Sequence, residues 1–446
     1  MDESLLKERV RQWQGSLARV LKLSSVSNTL WLGSSSVVNG LLGAVSSALL
    51  ARYLGLGDFG TFTLVLSLMN LMTDLGDLGM TSTFVRFGSE SVAKGNMDRF
   101  QRVLTIVLRT KILLGIVICA GSVLFLRSVV GFVFTHVDDR IASYFLLSLV
   151  AVALGIAASI FYPMFQSFKD FRTPSLLSVV RILCKLVLVV LCLVVFSRIS
   201  ITIAIWIEIA TLILFLGLNS YYSPVRTFTT SVDRQLQREI FSFSKWLTLY
   251  QIIALIGGRL DIVFVGGLAD ARALGLYGAA SKISALVTSV ANSYYAVLVT
   301  EASSSASGEV LRQRRRNAFV IVAMISGGIV ALGALASPIV RLVFGSQFAD
   351  ASVILQIMCV GLILTVLAYP VNATLFALNK SAVFPIMSAV SVSVFLLSNL
   401  ALIPRLGAVG AAIAFSLSAG VALLVSLTFY FFIARMKRKT GLVEGG

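Results

Sequence analysis

Apolar positions in this chain neither alternate as they would in strands nor keep to one face of a short helix. They run on. Twelve stretches of about 20 residues or more, at roughly 28–51, 60–83, 103–126, 142–167, 175–197, 200–221, 245–268, 275–300, 317–340, 352–378, 382–403 and 407–433, are separated by short polar punctuation. At 1.5 Å per residue, each can cross about 30 Å of hydrocarbon as a helix, the form that satisfies every backbone N–H and C=O within the segment. No connection is long enough to hold a soluble domain. The pattern predicts an all-α polytopic membrane protein with twelve transmembrane helices. Composition agrees: mean hydropathy is +0.94, with 57% hydrophobic and only 13% charged residues, well outside the soluble norm.

Charge sets the orientation. With a cytoplasmic N-terminus, the leading segment, the loops at 84–102, 168–174, 222–245, 301–316 and 379–381, and the tail together carry twenty-four Lys and Arg. The opposite side carries seven: Arg52, Arg127, Arg140, Arg198, Arg272, Arg341 and Arg405. That bias places both termini in the cytoplasm of a multi-pass cell-membrane protein. It accounts for most of the +17 net charge, so the basic runs RQRRR (312–316) and RMKRK (435–439), which abut spans, read as topology signals, and no nucleic-acid partner is expected. In residues 1–26, Leu6, Val10, Trp13, Leu17 and Leu21 recur at helical spacing among Lys7, Arg9, Arg11, Arg19 and Lys22. This suits an amphipathic helix on the cytoplasmic leaflet, with a disordered basic leader as the alternative. A cleaved signal peptide fits less well, because the first apolar run starts late and is of full span length. The expected order is that segment, an N-terminal six-helix lobe over 27–222, a cytoplasmic linker over 223–244, a C-terminal six-helix lobe over 245–433 and a basic cytoplasmic tail over 434–446.

Several chemistries find no support. Cys119, Cys184, Cys192 and Cys359 all fall in predicted spans, without disulfide or metal spacing. His136, the only histidine, sits in an outside loop beside Asp138 and Asp139 and reads as a solvated surface residue. No P-loop points to ATP, and no loop holds a catalytic triad or carboxylate pair. The expectation is a transporter, not an enzyme, with no cofactor or metal beyond coupling to H⁺ or Na⁺.

The chain also repeats itself. ARYLGLGDFGTFTL (51–64) leads into the second span and VGGLADARALGLYGAA (265–280) into the eighth, each placing an aromatic–Gly pair, Phe59-Gly60 or Tyr277-Gly278, at the start of a helix. Six spans per half make this a parallel repeat about an axis along the membrane normal, with a substrate site between the lobes.

LVFGSQFADASVILQIMCVGLILTVLAYPVNATLFALNK (342–380), LIPRLGAVGAAIAFSLS (402–418) and the stretch ARYLGLGDFG followed by DLGM resemble the polysaccharide transporter (O-antigen flippase-like) family of the multidrug/oligosaccharidyl-lipid/polysaccharide exporter superfamily. The resemblance covers nearly the whole chain, on loose apolar patterns. It implies two six-helix lobes in a V around a central cavity. It also implies a glycan on a polyprenyl (di)phosphate as cargo, flipped from the cytoplasmic to the outer leaflet for cell-surface polysaccharide assembly. The expected setting is a monomer in the lipid bilayer, working beside a glycan polymerase or ligase complex. Relatives that flip peptidoglycan precursor usually have fourteen spans, and twelve argue against that branch.

The charges inside the spans carry the candidate site. They are Asp74, Asp77, Arg109, Lys111, Arg181, Lys185, Glu208, Arg259, Asp261 and Lys282. Each costs roughly 2.5–3.5 kcal/mol at mid-helix, so they should face the bundle interior or a wet cavity. Arg109 and Lys111 lie near a cytoplasmic end, where snorkelling is the alternative. Arg181 and Lys185 lie one turn apart, about 10–15 Å in from the cytoplasmic end. They are expected to bind the carrier's phosphates, with Arg259 and Lys282 as a second pair in the other lobe. The alternative is an interhelical ion pair of Arg181 and Lys185 with Asp74, Asp77 or Glu208. On the second span, Asn70, Asp74, Asp77 and Thr81 fall at i, i+4, i+7 and i+11, one continuous polar stripe on a helix. Asp74 and Asp77, with Asn70, Glu208 and Asp261, are the candidates for ion coupling. Two other functions share parts of the pattern. A drug or cation antiporter of the same superfamily would have an acidic cavity, whereas basic residues outnumber acidic ones here. An integral-membrane glycan polymerase or ligase would need a larger outside loop.

Overall fold

The computed structural model describes residues 24–124, 139–196, 199–225, 233–303, 308–377 and 383–439. Most of the segment expected over 1–26, His136, Arg127, Arg198, linker residues 226–232 and the tail beyond Lys439 lie outside them. So do the side chains of Arg140, Arg259 and the run 312–316.

The described chain is helical and, among the described residues, contains no strand. Its first half holds α1 (Ser24–Leu54), α2 (Leu56–Leu75), α3 (Met80–Ala93), α4 (Met97–Leu124), α5 (Asp139–Ala158), α6 (Phe161–Ser167), α7 (Arg172–Phe196) and α8 (Ile201–Tyr222). The second half holds α9 (Arg234–Leu268), α10 (Ala271–Ser303), α11 (Gly308–Ala334), α12 (Ala336–Phe344), α13 (Ala351–Ala377), α14 (Val383–Leu406) and α15 (Ala408–Lys439). Among the described residues, ten spans are long and apolar enough to cross a membrane, or eleven if α11 and α12 form one bent span. The seventh expected span, 245–268, lies on α9, whose side chains are described only in part.

Four expectations are corrected. The single helix predicted over 60–83 is two, α2 and α3, separated by a turn in which Leu78 has φ 37° and Gly79 φ 78°. Left-handed backbone ends a helix, and glycine adopts it without strain, so the polar stripe of Asn70, Asp74, Asp77 and Thr81 is not continuous. The loop expected over 84–102 is mostly helix, made of α3 and the start of α4. The linker expected over 223–244 is already helix from Arg234, where Asp233 caps α9 by accepting from the N–H groups of Gln235 and Leu236. The span expected over 317–340 bends by 68° between α11 and α12. Pro338 removes an N–H there and its ring opposes the Ala334 carbonyl one turn back. Pro163 stands in the same relation to Ser159, where α5 gives way to α6.

Helices α1 to α8 pack mainly on one another, as do α9 to α15; the two sets meet where α1 and α2 lie on α10, and α2 and α3 on α9. The α2–α10 crossing is closed by small residues. A Cβ on Gly60 would collide with the Ala271 carbonyl oxygen, and one on Gly275 with that of Leu56; one on Gly278 would lie 2.9 Å from Thr63. The two repeated stretches of sequence are thus each other's packing partners. Beside them Phe59, Phe344 and Phe348 form a buried aromatic cluster. Outer faces are apolar and bare: the most apolar 18-residue window of α7 has mean hydropathy 2.9, yet only 6% of it is buried. Such a surface belongs in lipid, so charges on α7 must turn the other way.

Candidate substrate cavity

Ser175, Ser178, Arg181 and Lys185 recur every three or four residues and share one face of α7. That face turns inward. Asn39 of α1 donates from Nδ2 to Ser178 Oγ at 2.8 Å. Arg181 lies 5.4 Å over the ring of Phe215 on α8, with Nη2 3.8 Å from Glu208 Oε2. Lys185 Nζ donates to Glu208 Oε1. Glu208 is only 4% exposed, and a carboxylate at that depth persists only when paired. The two cations expected to act together are therefore unequal. Lys185 is closed off by Glu208, whereas Arg181 keeps 32% of its side chain open and lines a cavity of about 360 Å³ among α1, α2, α5, α6, α7 and α8.

A second cavity, of about 520 Å³, lies where the two helix sets meet, with Asp261, Tyr277, Lys282 and Asn292 in its walls. Tyr277 donates its hydroxyl to Asp261 Oδ2 at 2.8 Å. Asn70 of α2 lines both cavities, and Lys282 is within Coulombic reach of Glu208. The charge of Glu208 thus acts on basic groups of both cavities.

The remaining candidates sit elsewhere. Lys111 is fully buried and bonds three groups: Asp77 Oδ1 at 2.6 Å, Thr81 Oγ1 at 3.1 Å and Ser159 Oγ at 2.8 Å. Asp77 also accepts from the Thr81 backbone N–H at 3.2 Å, satisfying a free donor in the first turn of α3. This network pins the α2–α3 turn, and Thr248 of α9 reaches the same turn by donating to the Leu78 carbonyl at 2.7 Å. Asp74 is half-buried on the last turn of α2, and Arg109 is on the exposed face of α4. The ion-pair partner of Arg181 and Lys185 is Glu208, while Asp77 serves Lys111. A reading of charges alone misses the neutral wall residues Asn39, Ser175 and Asn219. Their signal is the same, a polar side chain within an apolar span.

Outside the spans, Lys94 lies 2.6 Å from Glu90 and holds that carboxyl below its usual range by hydrogen bond and charge. Arg99 lies 3.7 Å from both Glu90 and Glu239, and Arg102 lies 3.9 Å from Asp233. Arg86 stands 4.0 Å over the ring of Phe243. These contacts tie the α3–α4 corner to the start of α9.

The sequence matches the family described as polysaccharide biosynthesis protein over residues 25–299, more than half of its length. The chain belongs to that family. It is similar to stage V sporulation protein B of Bacillus subtilis, at 24% identity over 88% of this chain and 81% of that one. It is also similar to the probable low-salt glycan biosynthesis flippase Agl15 of Haloferax volcanii, at 27% identity over 41% of this chain and 40% of that one. Among solved structures, an inward-facing multidrug resistance MATE family transporter of the MOP superfamily superposes with a TM-score of 0.72 at 15% identity, covering 90% of this chain and 96% of that one. The lipid II flippase MurJ in an inward closed conformation gives 0.70 at 16% identity, covering 89% and 87%. The fold is that of the superfamily, all-helical and polytopic, and the chain is a multi-pass membrane protein.

Proposed function

We propose that this protein is a flippase that carries a polyprenyl-(di)phosphate-linked oligosaccharide from the cytoplasmic to the outer leaflet by alternating access, in the assembly of a cell-surface polysaccharide or glycan. Family membership and relatives named as flippases support this reading. The observation that carries it is Arg181, whose side chain stays 32% exposed in the wall of an interior cavity, with Lys185 one turn along the same helix. Guanidinium and ammonium groups beside an interior cavity suit a phosphate. A cationic drug would need an open carboxylate, and beside the Arg181 cavity the nearby carboxylate, Glu208, is held by Lys185.

The finer parts of the proposal are a monomer in the cell membrane with both termini cytoplasmic, working beside a glycan polymerase or ligase and catalysing no reaction itself. Coupling to H⁺ or Na⁺ is assigned to Asp74, with Asp77, Asn70, Glu208 and Asp261 as further candidates. Deletion of the gene followed by lipid extraction tests the function. Accumulation of a cytoplasm-facing lipid-linked oligosaccharide is expected, and unchanged lipid-linked pools would overturn the reading. Arg181→Gln, which leaves Lys185 to neutralise Glu208, should produce the same accumulation while the protein stays inserted. Asp74→Asn should remove any dependence of flipping on an ion gradient, whereas transport that still follows the gradient would leave Asp74 a structural role.

A further inference from the structure

The two helix sets are hooked to one another at two helix breaks, and the hooks run in opposite directions. Arg52, in the last turn of α1, reaches across to α12 of the other set. Its Nε donates to the Val343 carbonyl at 2.9 Å and its Nη2 to the Leu342 carbonyl. Both carbonyls lie in the last turn of α12, which stops at Gly345, where φ is 98°. The last carbonyls of a helix lack an intrahelical partner. A cation placed there also meets the negative end of the helix dipole.

At the other end, α9 supplies the donor. Thr248 Oγ1 donates to the Leu78 carbonyl at 2.7 Å. Leu78 sits in the α2–α3 break with φ 37°, a left-handed conformation that is unfavourable for a residue with a side chain. The turn is fixed from its own side, because the Asp77 carbonyl accepts from the Met80 N–H at 2.8 Å and the Asp77 side chain binds Lys111. Strained backbone of this kind persists only where its surroundings over-determine it, and it gathers at switch regions. Further along the same seam, Arg86 and Phe87 of α3 meet the ring of Phe243 on α9. Each hook therefore joins a side chain of one set to backbone of the other. Thr248 lies within an apolar span, where a carbonyl deprived of its donor has no ready substitute until water enters.

We propose that Arg52 and Thr248 are reciprocal latches, one at each end of the seam between the helix sets, and that the protein opens at the end whose latch has let go. The proposal rests on the alternating-access reading above and deepens it by naming a contact that holds each end shut. Neither residue lines either cavity, so both act on opening and not on the grip of a ligand.

Pulsed electron resonance on the full-length protein in nanodiscs, with the four native cysteines replaced, reads both ends. Spin labels on Ala93→Cys and Arg238→Cys span the α3–α9 end, and labels on Tyr53→Cys and Asp350→Cys span the α1–α12 end; all four positions are exposed. Thr248→Val removes the donor with little change of shape. It should raise the ratio of long to short distances at the α3–α9 end about two- to tenfold, the population equivalent of one net hydrogen bond, and make long distances at the α1–α12 end no commoner. Thr248→Ser keeps the hydroxyl and should match the parent protein. Arg52→Leu should do the converse, lengthening the α1–α12 distance alone. A ratio unmoved by Thr248→Val or by Arg52→Leu, or moved as far by Thr248→Ser as by Thr248→Val, overturns the latches and leaves alternating access standing. A variant that lengthens both distances at once overturns alternating access itself.

Discussion

At the residue scale, two buried ion pairs do different work. Lys111 and Asp77 are closed in by Thr81 and Ser159, so the pair is structural cement at a helix break. Lys111→Met leaves an uncompensated carboxylate and should cost about 3–5 kcal/mol, whereas Lys111→Met with Asp77→Asn should recover most of it, because neutral replacement of a buried pair is often tolerated. Thermal unfolding of the detergent-solubilised variants checks this; additive losses would show that the two side chains do not stabilise each other. Glu208 instead neutralises Lys185 and approaches Arg181 beside an open cavity, where it competes with any incoming anion. Glu208→Gln should therefore tighten inorganic pyrophosphate binding, by roughly tenfold if about 1.4 kcal/mol of pairing is released. Weaker binding would mean that Glu208 orients the cations without opposing the anion.

At the element scale, the α2–α10 crossing depends on the absence of side chains. Gly60→Ala puts a methyl group into the Ala271 carbonyl, and backbone cannot yield as a flexible side chain can. A loss of roughly 1–3 kcal/mol is expected from such overpacking, against almost none for Gly57→Ala, whose surroundings are open. Comparable melting temperatures for the two variants would contradict the close crossing. The α3–α4 corner behaves differently, because its ion pairs are exposed and individually weak. Lys94 lowers the pKa of Glu90, so the contribution of that carboxylate is present above its unfolded pKa and fades as pH falls through the lower folded value. The melting temperatures of wild type and Glu90→Gln should differ slightly at neutral pH and converge in acid; a gap that widens in acid would reverse the assignment.

At the scale of the whole molecule, the two helix sets are tied at both ends by unequal means. One end has a glycine crossing and a buried cluster of Phe59, Phe344 and Phe348. The other has the contacts of Arg86, Arg99 and Arg102 with the start of α9, where ionic partners stand at 3.7–3.9 Å and each exposed pair is worth at most about 1 kcal/mol. The second end should part first. In a background with the four native cysteines replaced, Arg86→Ala with Arg99→Ala should raise the labelling of Ser178→Cys by a membrane-impermeant thiol reagent added from that side. Unchanged labelling would show that these contacts do not hold the end closed.

The class of molecule was legible in the chain because a bilayer imposes one rule on every residue of a span: be apolar, or face inward with a partner. That rule places eleven of the expected spans on apolar helices or the bent pair, and it marks Arg181, Lys185 and Glu208 as an inward group before any contact is known. Local signals for helix ends are also in the chain, at Pro338, Gly79 and Asp233, but the expectations drawn from hydropathy passed over them and ran spans or a linker through each. The sequence alone did not decide who pairs with whom. Asp77 lies closer in the chain to Asp74 than to Lys111, yet it points to Lys111 because a left-handed turn at Leu78 and Gly79 carries it off the helix. Glu208 meets Lys185 across 23 positions because α7 and α8 pack side by side. Nor does hydropathy report which oxygens packing leaves unpaired: Asn39 Oδ1 and Ser175 Oγ are ordinary polar atoms until packing buries them without a partner among the described residues. Periodicity and burial preference act along the chain and can be read from it. Pairing and cavities arise between helices, and only tertiary packing brings those surfaces together.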